Sequence, residues 1–481
     1  MGQTTSAPTR SFGFFLNNNW VSHGREDVIT SPYDKSILAV VVEAERGDVE
    51  TAIASAVEAF RTTRKMTSQQ RAVILTTIAN GIIARREEFA RTICQEAAKP
   101  IKTARIEVER AINTFHIAAE EATRIYGEYI PLDTTAATAG RWGLLRRFPL
   151  GPVFAITPFN FPLNLVAHKV APAIAAGCPI ILKPAPQTPI CSLLLAEIVQ
   201  ESGWPEGAFA VMPLSNDDAG LLVADDRIKL LTFTGSAAVG WKLKSQAGKK
   251  RVTLELGGNA AAIVHSDADL AYATHRCVSA GFSYAGQTCI SVQRILVHQP
   301  VFHEFTNKLV DGVHKLKLGD PSHETTDVPP LIRESDAIRV TEWIEEAVRG
   351  GAKLLCGGKR NGAMVEPAVL TNTSPRMRVN CAEVFGPVVT VEPYENFADA
   401  LRQANDSLYG LQAGLFTRDA GLIQAAFDEL EVGALVVGDV PSFRVDQMPY
   451  GGVKDSGVGR EGLRYSIEDM TERKLMVMAL H

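Results

Sequence analysis

Apolar residues recur at helical spacing from Asp48 to about Tyr126, as in Val49, Ile53, Ala56, Val57 and Phe60. That spacing predicts helices with one face turned to a core, with Asp48 as the expected N-cap of the first. Upstream, Phe14–Leu16, Trp20–Val21 and Ile37–Val42 read as short strands broken by an Asn-rich turn and Ser-Pro. A stretch rich in Thr, Ala and Gly at 133–140 leads into Trp142–Pro149, which reads as an extended arm. From Gly151 the rhythm becomes short apolar strand, then helix. The strands expected there are Val153–Ile156, Pro179–Leu182, Phe209–Met212, Lys229–Phe233 and Val252–Leu256. Such alternation predicts βαβ units and a parallel sheet covered on both faces. A second α/β section follows, with strands expected at Ala261–Val264, Arg294–Val297, Ala368–Leu370, Val388–Val391 and Ala434–Val437. The tail Lys474–Leu480 reads as a strand with no partner nearby, an edge suited to pairing across subunits.

At 481 residues the chain exceeds one ordinary core, so two or three domains are expected. A net charge of −5 makes no electrostatic case for nucleic acid or for an anionic membrane. No apolar run is long enough to span a bilayer, and the start MGQTTSAPTR has no apolar signal region. Gly2 and Ser6 do match the myristoylation pattern, but so short a match recurs by accident, and a frayed polar terminus is the favoured reading. Seven scattered cysteines without Cys-x-x-Cys or Cys/His spacing disfavour both zinc and a disulfide framework. The expectation is a cytoplasmic protein with reduced thiols and no metal.

Several short segments carry candidate chemistry. Phe-Thr-Gly-Ser-Ala-Ala-Val-Gly (233–240) joins a strand to a helix, where Gly235 and Ser236 could admit a phosphate. A simple strand-to-helix turn explains it equally well. Lys183 ends a strand of the same sheet, where ligands of open parallel sheets bind. Cys289 in Gly-Gln-Thr-Cys-Ile-Ser taken alone would be a buried structural thiol, and Glu255 in Leu-Glu-Leu-Gly-Gly-Asn an ordinary charge. Together with Asn160 in Thr-Pro-Phe-Asn-Phe-Pro they supply a nucleophile, a base and an amide donor. A helix N-terminus near Cys289 is expected to lower its pKa.

Seven segments in one order resemble the aldehyde dehydrogenase superfamily over nearly the whole chain. They are Thr-Pro-Phe-Asn-Phe-Pro, Lys-Pro at 183–184, Phe-Thr-Gly-Ser, Leu-Glu-Leu-Gly-Gly, Gly-Gln-Thr-Cys, Glu-Val-Phe-Gly-Pro (383–387) and Pro-Tyr-Gly-Gly-Val-Lys-Asp-Ser-Gly (449–457). The resemblance implies an α/β aldehyde dehydrogenase-like fold in three parts. These are a Rossmann-like cofactor domain (1–126 and 150–257), an α/β catalytic domain (258–454), and a small β oligomerisation arm with a C-terminal strand (127–149 and 468–481). It implies a homo-oligomer, dimer or tetramer.

The resemblance also assigns roles. Cys289 attacks the aldehyde, Asn160 and the Cys289 backbone N–H hold the oxyanion, and Glu255 activates the water that hydrolyses the thioester. Lys183 meets the adenosine ribose, Ser236 a pyrophosphate oxygen and Glu383 the nicotinamide ribose, with Phe385 packed nearby. Thr157, Pro158, Phe159, Gly235, Leu256 and Gly257 complete the NAD or NADP site, and Lys169 lies near the chemistry. Pro186 stands where many NAD-using members carry a glutamate, so nothing near Lys183 is expected to repel a 2′-phosphate. Arg110 and Arg444 match anion-binding positions of relatives acting on small polar or anionic aldehydes such as glyceraldehyde 3-phosphate and phosphonoacetaldehyde, yet both fit structural ion pairs equally well. Those relatives usually carry an arginine before the cysteine, where this chain has Thr288, and the incomplete set shifts the expectation towards lactaldehyde-like hydroxyaldehydes. Phe161, Thr288, Phe443 and Tyr450 are expected to line the rest of the pocket for a short aliphatic, hydroxylated or anionic aldehyde. An acylating enzyme that passes the thioester to coenzyme A, and an inactive binding protein, are the competing readings. Glu255 weighs against the first and the intact Cys289, Glu255 and Asn160 against the second.

Overall fold

Two sheets built from different stretches of chain organise the structure, a computed structural model that describes residues 10–479. Gly2 and Ser6 lie outside the described residues. The first sheet has eight strands, in the order Gly457–Val458, Arg251–Glu255, Leu230–Thr234, Val153–Ile156, Ile180–Lys183, Phe209–Val211, Phe14–Leu16 and Asn19–Val21. Its five middle strands from Arg251–Glu255 to Phe209–Val211 run parallel, and antiparallel strands close both edges. The apolar runs of these middle strands follow from burial on both faces. One face packs the helices Ser68–Ala84, Ile101–Ala122, Asn164–Ala176 and Ile190–Glu201, through residues such as Ile78, Phe115, Ile174 and Leu194. The other face packs Arg46–Thr63 and Asn216–Ala224, through Ile53 and Leu222.

The second sheet has seven strands, in the order Lys353–Cys356, Ala368–Thr371, Val388–Tyr394, Val292–His298, Ala260–Val264, Gln412–Phe416 and Ala434–Val437. All its pairings are parallel except the antiparallel edge strand Lys353–Cys356. The chain passes from the first sheet to the second through Leu256–Asn259 and returns to the first at Gly457–Val458. This short link places the carboxyl end of Arg251–Glu255 beside the mouth of the second sheet.

Two sequence expectations are corrected. Asp48 is not the N-cap: Glu45 is, and Asp48 sits three residues on, where its carboxylate accepts the Glu45 backbone N–H at 2.8 Å. An acidic residue at either place answers the unpaired first-turn amides, so the pattern alone could not separate them. The tail is not without a partner. Thr471–Ala479 pairs antiparallel with Arg141–Pro149 of the same chain, from Thr471 opposite Pro149 to Ala479 opposite Arg141, and Glu128–Pro131 completes the three-stranded sheet. The sequence reading also missed the strands Arg25–Thr30 and Gln412–Phe416. Charged residues interrupt the first, and Gly414 breaks the apolar run of the second.

Candidate active site

A cavity of about 780 Å³ opens where the two sheets meet, and Cys289, Glu255 and Asn160 all line it. Each reaches it from a different element. Asn160 stands in the turn between the strand Val153–Ile156 and the helix Asn164–Ala176, and Glu255 ends its strand. Cys289 lies between a tight turn at Ser283–Gly286 and the strand Val292–His298. Tyr284, Ala285 and Gly286 all have positive φ there, an unusual run that turns the chain sharply before the thiol. The Asn160 amide nitrogen donates to the Gln287 carbonyl at 2.9 Å, tying the first sheet to the cysteine loop and leaving its second N–H for the cavity. Gly258 is required by close approach, because a Cβ there would lie 2.2 Å from the Cys289 carbonyl oxygen.

Cys289 is not set at a helix N-terminus, contrary to expectation. Burial pushes its thiol up to about 11, while the Tyr450 hydroxyl at 3.0 Å and the Arg444 charge pull the other way. Arg444 sits over the Tyr450 ring, 3.7 Å from its centre. Burial also drives Glu255 well above the usual carboxylate range, and the nearby Glu461 charge adds to this, opposed by Arg444 and Lys169. Neither Glu255 oxygen has a hydrogen-bond partner among the described residues. Glu461 is the reverse case. Burial raises it, yet Lys169 at 3.0 Å and Arg444 at 3.0 Å hold it down to about 2. Glu461 and the full part played by Lys169 were missed in the sequence, where Gly-Arg-Glu-Gly carries no signal of burial.

The far end of the cavity fits a dinucleotide. Gly235 and Ser236 face it at the start of the helix Ala237–Gln246, whose first-turn amides receive no side-chain cap. Such a terminus suits a pyrophosphate. Pro158, Phe159, Leu256, Gly257, Glu383 and Phe385 line the same end. Phe159 and Phe385 meet edge to face at 6.0 Å, and Phe385 holds a φ of 47°. Glu383 accepts the Gly258 N–H at 2.9 Å, burial raises it to about 7, and a Cβ at Gly257 would strike it at 2.3 Å. Trp343, Asp336 and Arg339 of the helix Glu334–Arg349 also line this end and were not foreseen. Thr157 and Lys183 stay off the cavity wall, at the ends of adjacent strands joined by Thr157 N–H to Lys183 C=O at 3.2 Å. The expectation of no negative charge near Lys183 is corrected. Glu43, itself paired with Arg25 at 2.6 Å, acts on the buried Lys183 ammonium and shares a small cleft with Pro186.

At the substrate end, Arg110, Phe161, Thr288, Arg444 and Tyr450 line the cavity as expected, and Ser442 joins them. Phe443 does not. It is 45% exposed, because along this loop its neighbours Ser442 and Arg444 take the inward positions. Both arginines carry ion pairs as well: Arg110 grips Asp446 at 2.7 Å and Arg444 holds Glu461.

The comparisons agree with this geometry. Residues 20–476 match the model of the aldehyde dehydrogenase family. The chain belongs to that family. It is 44% identical over 478 residues to a 3-sulfolactaldehyde dehydrogenase of Priestia aryabhattai, covering 99% of this chain and 100% of that one. The structure superposes with a TM-score of 0.97 on aldehyde dehydrogenase 21 of Physcomitrella patens in complex with the reaction product succinate. That match is 44% identical and covers 98% of this chain and 99% of the other. A glyceraldehyde-3-phosphate dehydrogenase of Methanocaldococcus jannaschii complexed with NADP matches with a TM-score of 0.92 and 36% identity, over 95% and 100% of the two chains. This aldehyde dehydrogenase therefore oxidises a small aldehyde to its acid with NAD(P)+ through a cysteine thioester.

The two buried glutamates generate a test. Glu461→Gln removes the negative charge that helps hold Glu255 up and frees Lys169 and Arg444 to hold it down. Glu255 then ionises at lower pH, and the acidic limb of the kcat profile shifts to lower pH. An unmoved limb would show that Glu255 does not control it.

Proposed function

We propose that the enzyme oxidises short aldehydes bearing an anionic or hydroxyl group, with Cys289 as nucleophile, Asn160 and the Cys289 N–H as oxyanion donors, and Glu255 as general base. The observation that carries the substrate reading is Arg444. Its side chain is 8% exposed in the cavity wall, it spends Nη2 on Glu461, and its Nη1 makes no hydrogen bond among the described residues. A guanidinium with donors left over beside the nucleophile suits a carboxylate, sulfonate or phosphate. Arg110, with Nη1 outside its grip on Asp446, supports the same reading. The relatives named for sulfolactaldehyde and crystallised with succinate handle anions of this kind.

The reaction follows from the residues. Helped by the Tyr450 hydroxyl and by Arg444, the Cys289 thiol gives its proton to solvent, and the thiolate attacks the carbonyl carbon and forms the C–S bond. The oxygen gains the charge and meets the free Asn160 N–H and the Cys289 N–H. NAD(P)+, when bound, supplies the hydride acceptor that turns the thiohemiacetal into a thioester. Glu255 then takes a proton from water, hydroxide adds to the thioester carbon, and the C–S bond breaks to release the acid and the thiolate. Burial makes Glu255 a stronger base than a solvated carboxylate.

Ser236, Glu383 and Phe385 would hold the cofactor, supported by their places around the cleft, and Lys183, off the cavity wall at the end of its strand, would reach the adenosine ribose. Arg25 offsets part of the Glu43 charge beside Lys183, and Pro186 adds none, so both NAD and NADP are taken as cofactors. The domain division given above and a cytoplasmic location are part of the same reading. No helix among the described residues is long and apolar enough to cross a membrane.

Assembly as a homo-oligomer, dimer or tetramer, is supported by Leu475, Met476 and Val477, which lie exposed on the edge strand Thr471–Ala479. Deleting 474–481 strips the strand partner from Arg141–Arg146 of the arm and should cause dissociation or aggregation in sedimentation analysis. A truncated protein of native mass would contradict it.

For the substrate, Arg444→Ala should lower kcat/KM for a carboxylated or sulfonated aldehyde at least about tenfold more than for propanal, the difference of one charge-assisted hydrogen bond. Equal losses would return Arg444 to a structural role. Running the same panel with coenzyme A added tests hydrolysis against acyl transfer.

A further inference from the structure

Lys99 and Glu107 form an ion pair that the chemistry above does not use. Both are buried, at 0% and 1% exposure, their charged atoms are 2.5 Å apart, and neither lines the catalytic cavity. Burying two charges gives little net stability, since an apolar pair of like volume commonly does as well. What distinguishes this pair is where its remaining contacts go.

One side reaches the Asn160 turn. Glu107 Oε1 accepts the backbone N–H groups of Leu163 at 3.0 Å and Asn164 at 3.1 Å, at the start of the helix that follows Asn160. Lys99 Nζ lies 3.6 Å from the centre of the Phe161 ring, next to Asn160 in sequence. The other side reaches the cysteine loop. The same ammonium lies 4.8 Å from the centre of the Tyr284 ring, and the Tyr284 hydroxyl donates to the Ala97 carbonyl at 2.7 Å. Tyr284 is in the left-handed turn before Cys289, and its carbonyl accepts the Gln287 N–H at 3.2 Å. Gln287 in turn accepts from Asn160. The contacts close a ring around both oxyanion donors.

We propose that Lys99 and Glu107 are positioning residues that hold Asn160 and the Cys289 N–H in register with each other. A cation between two aromatic faces, anchored by a carboxylate that caps the next helix, fixes the two loops relative to one another. An apolar pair would fill the space without that directionality. The proposal rests on the reading of Asn160 as an oxyanion donor.

The test is a double-mutant cycle read by the pre-steady-state burst of NAD(P)H. Lys99→Met with Glu107→Gln leaves no unpaired buried charge and keeps an oxygen for the two amides, so it should fold with a melting temperature near that of the parent. Its burst rate should fall at least about tenfold with the KM for NAD(P)+ unchanged, the scale of a small misplacement of a catalytic group. In an Asn160→Ala background the same change should lower the burst rate less than about threefold, because the donor it positions is gone. Lys99→Met alone reads the cycle independently should the double variant not fold, because Glu107 keeps its two amide donors and can take up a proton. A parental burst rate in a folded variant, or a loss undiminished in the Asn160→Ala background, overturns the proposal. If Asn160→Ala itself leaves the burst unchanged, the oxyanion reading fails instead.

Discussion

Glu255 is 2% exposed, and neither of its oxygens meets a donor among the described residues. A carboxylate so placed resists ionisation, and the rest of the cavity floor is arranged around that resistance. Lys169 and Arg444 could neutralise it, but both hydrogen-bond Glu461 instead. Glu461 thus takes the stabilisation that Glu255 lacks, and its charge holds Glu255 up further. The result is one ionised and one proton-hungry carboxylate close together, a division of labour that a water-activating base needs. The same desolvation acts on Cys289, where Tyr450 and Arg444 provide the compensation. Arg444 therefore serves the nucleophile, the buried Glu461 and the proposed substrate anion at once.

The architecture makes this convergence possible. Glu255 ends a strand of one sheet, and only a few residues later the chain enters the other. Asn160 reaches across to the Gln287 carbonyl, and Gly258 lets the Cys289 loop come close. Lys169 projects from the helix that begins just after the Asn160 turn, whereas Glu461 and Arg444 arrive from the C-terminal part of the chain, which also adds Gly457–Val458 to the edge of the first sheet. The C-terminal segment is thus part of both the scaffold and the chemistry.

How legible this was depended on whether the signal was local. Middle strands such as Val153–Ile156 declared themselves as apolar runs, and the ends of others shifted where buried apolar residues continue past the strand, as at Met212 and Leu256. The strand Arg25–Thr30 was missed because an exposed edge tolerates charges that erase the pattern. The chemical motifs around Cys289, Glu255 and Asn160 were readable because glycines and prolines mark tight backbone approach. Glu461, Lys99 and Glu107 were not, since a charged residue in the sequence gives no sign of burial when its partner is remote in the chain or on another turn of helix. Phe443 misled for a related reason: a loop of irregular backbone has no period from which to infer which side chain faces inward. The Thr471–Ala479 strand was recognised, but its pairing with Arg141–Pro149 joins segments too far apart for any local rule.

In the proposed chemistry Cys289 carries the acyl group and Glu255 releases it. The most direct measurement combines rapid kinetics and intact-mass analysis of Glu255→Gln. A burst of about one NAD(P)H per active site is expected, then a much slower steady rate, with a mass increase of one acyl group that Cys289→Ala abolishes. Loss of the burst itself, or steady turnover at the parental rate with no acyl adduct, would contradict it.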